Sequence, residues 1–275
     1  MSESQTAPIV LVHGIFGFDQ LAVGGLKIGD YYRLIPDALR KDGHVVPHPP
    51  QTNRAGSVAE RAQDLKNYLQ DPNRVEVFEK KVHLLAHSMG GLDARFMISK
   101  LGMANWILSL TTIATPHHGS PIANAVVKAT EPGLTQLLGS LGVDVKATLD
   151  LTTEACEQRN REVLDEPGVA YFSIAGQFVP PKTFLIFGKP KGVLGPTYDL
   201  IAKTENNNDG VVSVWSATMG RPAWTHLDTW NVNHFREINW GTNGVPGPAE
   251  LNDFSIVEKY RALAKQIKEL VAARG

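Results

Sequence analysis

The sequence predicts the α/β class, with a mostly parallel central sheet carrying helices on both faces. Short, wholly apolar runs recur along the chain, as in strands buried on both sides. Segments of helical periodicity alternate with those runs, the order of a parallel sheet built from crossovers. His13, Ser88 and His117 fall just beyond the ends of the runs, where such sheets hold their chemistry.

Ile9 to Val12 is the first apolar run and reads as a buried strand, followed by His13-Gly14. Tyr31 to Leu39 reads as a helix that ends by Gly43, and Val45-Val46 begins a second short strand. Ser57 to Leu69 is helical, with Val58, Ala62, Leu65 and Leu69 at helical spacing and Ser57 with Glu60 forming a capping box. Val82 to Ala86 is a strand ending at Ser88, and Leu92, Phe96 and Leu101 continue as a helix. Ile107 to Ala114 is a further strand, closed by Pro116. From Ser120 to about Leu164 the strand rhythm stops, and Leu134, Leu137, Leu138 and Leu141 mark one helical face. Ala170 to Ala175 resumes the strands, and 179–208 reads as irregular. The last helix carries Ile256, Val257, Tyr260, Leu263, Ala264, Ile267, Leu270 and Val271 as one stripe, with Ser255 and Glu258 as a capping box. Residues 1–275 form one domain, and 120–165 is a candidate lid inserted within it.

The 275 residues suit a single large α/β domain, and a hydrophobic share of 43% with 20% charged residues is ordinary for a globular chain. A formal net charge of −1, with no basic patch among aromatics, argues against nucleic acid as a partner. The lone Cys156 permits neither an internal disulfide nor a cysteine metal site. The polar N-terminus is no secretory signal, and the simplest expectation is a cytoplasmic, reducing home. Export by a route without such a signal, or a trimmed start at Met1, stays open.

Ala86-His87-Ser88-Met89-Gly90 joins a strand to a helix with small residues two places either side of the serine. A tight strand-to-helix turn needs those small neighbours, and it lifts the hydroxyl clear of the sheet at a helix N-terminus. Ser88 as a plain helix cap is the bland alternative. Such a serine attacks a carbonyl, so the backbone N–H groups of Met89 and of Ile15, in His13-Gly14-Ile15-Phe16-Gly17, are the expected oxyanion donors. Phe16 and His87 are expected to line the substrate pocket. The elbow makes the α/β-hydrolase fold the specific expectation.

A nucleophilic serine needs a base and an orienting acid, in the order serine, acid, histidine. His226 and His234 are the late histidines. Asp209, in Asn206-Asn207-Asn208-Asp209-Gly210, is the favoured acid, with Glu205 and Asp228 as competitors. Order alone favours His234 only weakly.

Five segments resemble those of bacterial family-one triacylglycerol lipases: Val12-His13-Gly14-Ile15-Phe16-Gly17-Phe18-Asp19, Ala86-His87-Ser88-Met89-Gly90-Gly91, Ala114-Thr115-Pro116-His117-His118-Gly119-Ser120, Asn208-Asp209-Gly210-Val211-Val212, and Asn233-His234. The resemblance runs from about residue 8 to about 240. It implies Ser88, Asp209 and His234 as a triad, with Ile15 and Met89 at the oxyanion. Those lipases bind calcium through an acid two residues after the histidine and a glutamine further on. Arg236 and Trp240 stand at those places, so no metal of that kind is expected, and Arg236 is expected to replace its charge.

The function this implies is a serine hydrolase of carboxylic esters, acylglycerols above all, working through an acyl-enzyme without any cofactor. Its partners would be a lipid or small-molecule ester and, transiently, a lipid interface. An acyltransferase on the same scaffold and a weakly catalytic binding protein are the alternatives. His117-His118 reads as structural.

Overall fold

A computed structural model describes residues 3–15, 20–23, 26–53, 56–128, 145–179, 194–241 and 254–274, with the backbone alone for 20–23, 26–30 and 145–146. In chain order the elements are α1 (Glu3–Thr6), β1 (Ile9–Val12), β2 (Gln20–Val23), β3 (Leu26–Asp30), α2 (Ile35–Lys41), α3 (Val58–Leu69), β4 (Val82–His87), α4 (Met89–Lys100) and β5 (Ile107–Ile113). There follow α5 (Pro121–Val127), α6 (Val145–Leu149), α7 (Thr153–Glu162), β6 (Ala170–Gly176), α8 (Gly195–Ala202), α9 (Val214–Ala217), β7 (Trp224–Trp230) and α10 (Ser255–Ala272).

The apolar runs become a five-stranded sheet in the order β1-β4-β5-β6-β7, with every neighbouring pair parallel. Alternate residues of each strand face opposite layers, as a two-residue period requires. Ile9, Leu11, Leu85, Phe172 and Ile174 pack with Ile35 and Leu39 of α2 and with Tyr260, Leu263 and Ile267 of α10. Val10, Val12, Leu84, Ala86 and Leu110 pack instead with Ala62 and Leu65 of α3 and Met97 of α4. Helices cover both faces, which is why the strands read as continuous apolar runs.

Several boundaries differ from the sequence reading. Val45 and Val46 lie in a loop; the carbonyl of Val45 accepts the Ile9 N–H at 2.9 Å, but no strand forms. The helix expected from Tyr31 begins at Ile35, because Leu34 takes a left-handed φ of 64° and Pro36 then fits the first turn. The antiparallel β2–β3 hairpin was not foreseen. Neither was α8, within a stretch read as irregular. The capping box at Ser57 and Glu60 forms in full. The one expected at Ser255 does not, since α10 caps at Phe254 and Ser255 already lies inside the helix. The Leu134–Leu141 face lies outside the described residues. Around it, α5 packs against α6, α7 and α8. No helix among the described residues is long and apolar enough to cross a membrane.

Candidate active site

Ser88 sits where β4 turns into α4, with φ 54° and ψ −132°. A non-glycine residue avoids such angles unless its surroundings impose them, at a cost of about 1–3 kcal/mol. The surroundings here are tight. A Cβ at Gly90 would stand 2.6 Å from the His13 carbonyl oxygen, and one at Gly14 would stand 2.7 Å from Ser88 Cβ. The loop after β1 is thereby pressed against the nucleophile turn. Ser88 makes no side-chain cap bond to α4, so its hydroxyl is left for other work.

That hydroxyl meets His234 Nε2 at 3.1 Å, across 146 residues of chain. On the other side of the ring, His234 Nδ1–H donates to Asp209 Oδ2 at 2.7 Å. Asp209 Oδ1 accepts the N–H groups of Val211 and Val212, both at 2.7 Å. Both carboxylate oxygens are thus engaged, and the pairing fixes the imidazole with its proton on Nδ1 and its lone pair toward Ser88. The His234 N–H also donates to the Asp209 carbonyl at 3.0 Å, joining the acid and base loops through the backbone. The competitors lie elsewhere. His226, on β7, bonds Ser173 and Thr229. Asp228 is exposed beside Lys259, and Glu205 is half-buried with burial raising its carboxyl.

Behind the triad runs a second buried network that the sequence reading missed. The Gly14 N–H donates to Tyr31 Oη at 2.9 Å, and Tyr31 Oη lies 2.7 Å from His87 Nδ1. His87 Nε2 lies 2.9 Å from Glu237 Oε2, which is 3.4 Å from His234 Nδ1. Because Tyr31 spends its acceptor side on Gly14, its O–H points to His87 Nδ1, and His87 Nε2–H then donates to Glu237. His87 was expected to line the substrate pocket. The structure places it 1% exposed within this network, away from the cleft described below. Phe16, the other pocket expectation, lies outside the described residues.

Burial, and then the charge of neighbouring His234, hold His87 well below its ordinary value, so it is neutral. Burial, followed by the charge and hydrogen bond of Asp209, holds Glu237 well above the usual carboxylate range. Glu237 therefore keeps its proton in the folded protein, whereas an unfolded chain releases it near 4.5. As pH rises above that value the unfolded state is increasingly favoured, by about 1.4 kcal/mol per pH unit until the folded carboxyl ionises. Glu237→Gln removes this term. Thermal unfolding from pH 5 to pH 8 is expected to show the variant losing less stability than the wild type, and parallel curves would contradict it.

His87, His234 and Glu237 bring ligand-type atoms within 4.8 Å of one another. Hydrogen bonds already use them: His87 Nε2 carries a proton and His234 Nδ1 serves Asp209. At the two positions where the resemblance would put calcium ligands, the residues do not fit the ion. Arg236 is a cation, and Trp240 Nε1–H donates to the Tyr31 carbonyl at 2.8 Å within the core. His117 is buried between Thr112 and Arg95, and His118 stacks on Trp215 with ring centroids 4.4 Å apart.

Ser88 opens into a cleft lined chiefly by Ile15, Pro116, Ile122, Leu151, Val211 and Val212. Met89 begins α4, so its N–H is one of the free first-turn donors, and Ile15 stands on the loop facing it. A hydroxyl with a base, an oriented imidazole, a helix N-terminus and an apolar cleft together suit attack on the carbonyl of an apolar acyl group.

Residues 59–130 match the family described as PGAP1-like alpha/beta domain. Triacylglycerol lipase 2 of Saccharomyces cerevisiae is 36% identical over 191 residues, covering 67% of this chain and 55% of that protein. A triacylglycerol lipase of Vibrio cholerae is 28% identical over 298 residues, covering 95% of this chain and 88% of that one. The chain thus spans about half the length of the yeast relative and most of the Vibrio one. Among solved structures, a lipase from Staphylococcus hyicus superposes with a TM-score of 0.69 at 18% identity, covering 98% of this chain and 97% of that one. The fold is that of the α/β-hydrolases.

Proposed function

We propose, for a chain that belongs with the triacylglycerol lipases of the α/β-hydrolase type, that it hydrolyses carboxylic esters, acylglycerols among them, through an acyl-enzyme formed on Ser88. The observation that carries this reading is the relay from Ser88 Oγ through His234 to Asp209, with 3.1 Å and 2.7 Å at its two joints, beside an apolar cleft. In the first half-reaction His234 Nε2 takes the Ser88 proton as Oγ bonds to the ester carbonyl carbon. The Ile15 and Met89 N–H groups hold the oxyanion, each worth about 3 kcal/mol of transition-state stabilisation. The imidazolium returns its proton to the departing alcohol. Water, deprotonated by the same ring, then attacks the acyl-enzyme, and the carboxylic acid leaves with Ser88 restored. Asp209 favours the imidazolium and holds its orientation throughout.

The 120–165 segment acts as the lid in this reading. Its α5 supplies Ile122 and Ala123 to the cleft, and Val127 and Leu149 stand 39% and 49% exposed on it. Exposed apolar side chains beside an apolar cleft suit transient contact with a lipid surface. Rates are expected to rise when a soluble ester passes into emulsion, and a smooth rate curve across that point would refute the lid.

The deciding experiment measures hydrolysis of p-nitrophenyl esters from short to long acyl chains, together with labelling by a serine-directed phosphonate. Hydrolysis with the adduct on Ser88 is expected. No turnover of any ester, or an adduct elsewhere, overturns the proposal. With Arg236 and Trp240 in place of calcium ligands, EDTA is expected to change neither activity nor melting temperature. A large loss restored by calcium would contradict that.

A further inference from the structure

The two expected oxyanion donors stand on separate elements, Ile15 on the loop after β1 and Met89 on the first turn of α4, and one buried side chain spans them. Arg61, on α3, is 0% exposed. Its Nε donates to Asp93 Oδ2 at 2.8 Å, and Asp93 lies on α4 little more than a turn past Ser88. Its Nη2 donates to the carbonyls of His13 at 2.9 Å and Gly14 at 3.3 Å, and its Nη1 to the carbonyl of Asn53 at 3.2 Å.

A trans peptide unit is planar, with its C=O and N–H directed oppositely, and no cis bond occurs among the described residues. Whatever holds the Gly14 carbonyl therefore sets the direction of the Ile15 N–H. His13 Nδ1–H donates to that same oxygen at 2.9 Å, while its Nε2 receives the Thr52 N–H at 3.3 Å. A buried ion pair kept for stability alone can often be replaced by apolar side chains without loss. Two carbonyls on one strand end cannot be held that way. A planar fork of donors can hold them and still reach Asp93, which a single ammonium cannot do.

We infer that Arg61 is a positioning residue of the oxyanion hole: anchored on Asp93, its guanidinium holds the His13 and Gly14 carbonyls and so aims the Ile15 N–H alongside that of Met89. The inference rests on the reading of Ser88 as an acyl-transfer nucleophile. Burial pushes Asp93 up to about 6 against the pull of Arg61, so the pair is tested at pH 8, where both partners are charged.

Arg61→Lys is expected to lower kcat per titrated active site about 10- to 100-fold, with KM changed less than about twofold. Affinity for an alkyl boronic acid, whose tetrahedral adduct on Ser88 puts an oxygen in the hole, should fall by a similar factor. A purely structural arginine would lower the melting temperature and the titratable fraction, and would leave kcat per site and boronate affinity at wild-type values; that outcome overturns the inference. Should Arg61→Lys not fold, Asp93→Asn keeps an oxygen for Nε and removes the charge. It is expected to lower kcat and boronate affinity together by about three- to tenfold, and wild-type values for both would equally overturn it. Failure of the underlying reading looks different, since the wild-type protein itself would then neither hydrolyse esters nor accept the phosphonate.

Discussion

Ser88→Ala is expected to lower kcat for ester hydrolysis by about a millionfold, the scale on which removal of a serine nucleophile acts, and to leave the fold intact. The hydroxyl makes no cap bond to α4 and meets His234 Nε2 at 3.1 Å. Its loss therefore removes one hydrogen bond, about 1 kcal/mol, and no helix cap. Alanine inherits the backbone strain of φ 54°. Glycine does not, so Ser88→Gly should be as inactive as Ser88→Ala but melt higher, by about 2–4 °C for each kcal/mol of strain released. Active-site titration, kcat and thermal melts of the three proteins check this. A serine that merely capped the helix would give the opposite result, with Ser88→Ala active and destabilised.

The strained turn was legible because its requirements are local: an apolar strand, small residues two places either side, and a helix to follow. The parallel sheet was legible for a similar reason, since strands covered on both faces must be apolar at every position. Val45-Val46 misled because two β-branched residues satisfy a propensity while meeting β1 only through the Ile9 N–H on the Val45 carbonyl, which makes no ladder. The helix Gly195–Ala202 hid behind its Gly-Pro start, although proline in a first helical turn is itself a start signal. The network behind the triad was not legible at all. His87 and Glu237 are 150 residues apart, and nothing local distinguishes a buried glutamate from a solvated one. Arg61 did leave a trace. It falls on the face of α3 that buries Val58, Ala62, Leu65 and Leu69, where a charge requires a buried partner.

The choice of Asp209 over the other late acids has an equally sharp consequence. Asp209→Asn is expected to lower kcat about 10⁴-fold with little change in KM. The reason lies in what already surrounds the carboxylate. The side of Oδ1 receives two N–H donors, from Val211 and Val212, at 2.7 Å each. An amide NH₂ cannot sit there, because donors would face donors, so the substituted side chain must turn its oxygen to those N–H groups. Its NH₂ then occupies the place of Oδ2, 2.7 Å from His234 Nδ1. That nitrogen must become an acceptor, which moves the ring proton to Nε2 and points it at Ser88. The imidazole then has no lone pair for the hydroxyl proton. Folding is spared because the Val211 and Val212 N–H groups keep their acceptor. Phosphonate labelling of Ser88 should slow along with kcat, since both need the serine deprotonated, while the melting temperature stays close to wild type. An Asp209→Asn protein within about tenfold of wild-type kcat would show that His234 takes its tautomer from some other group.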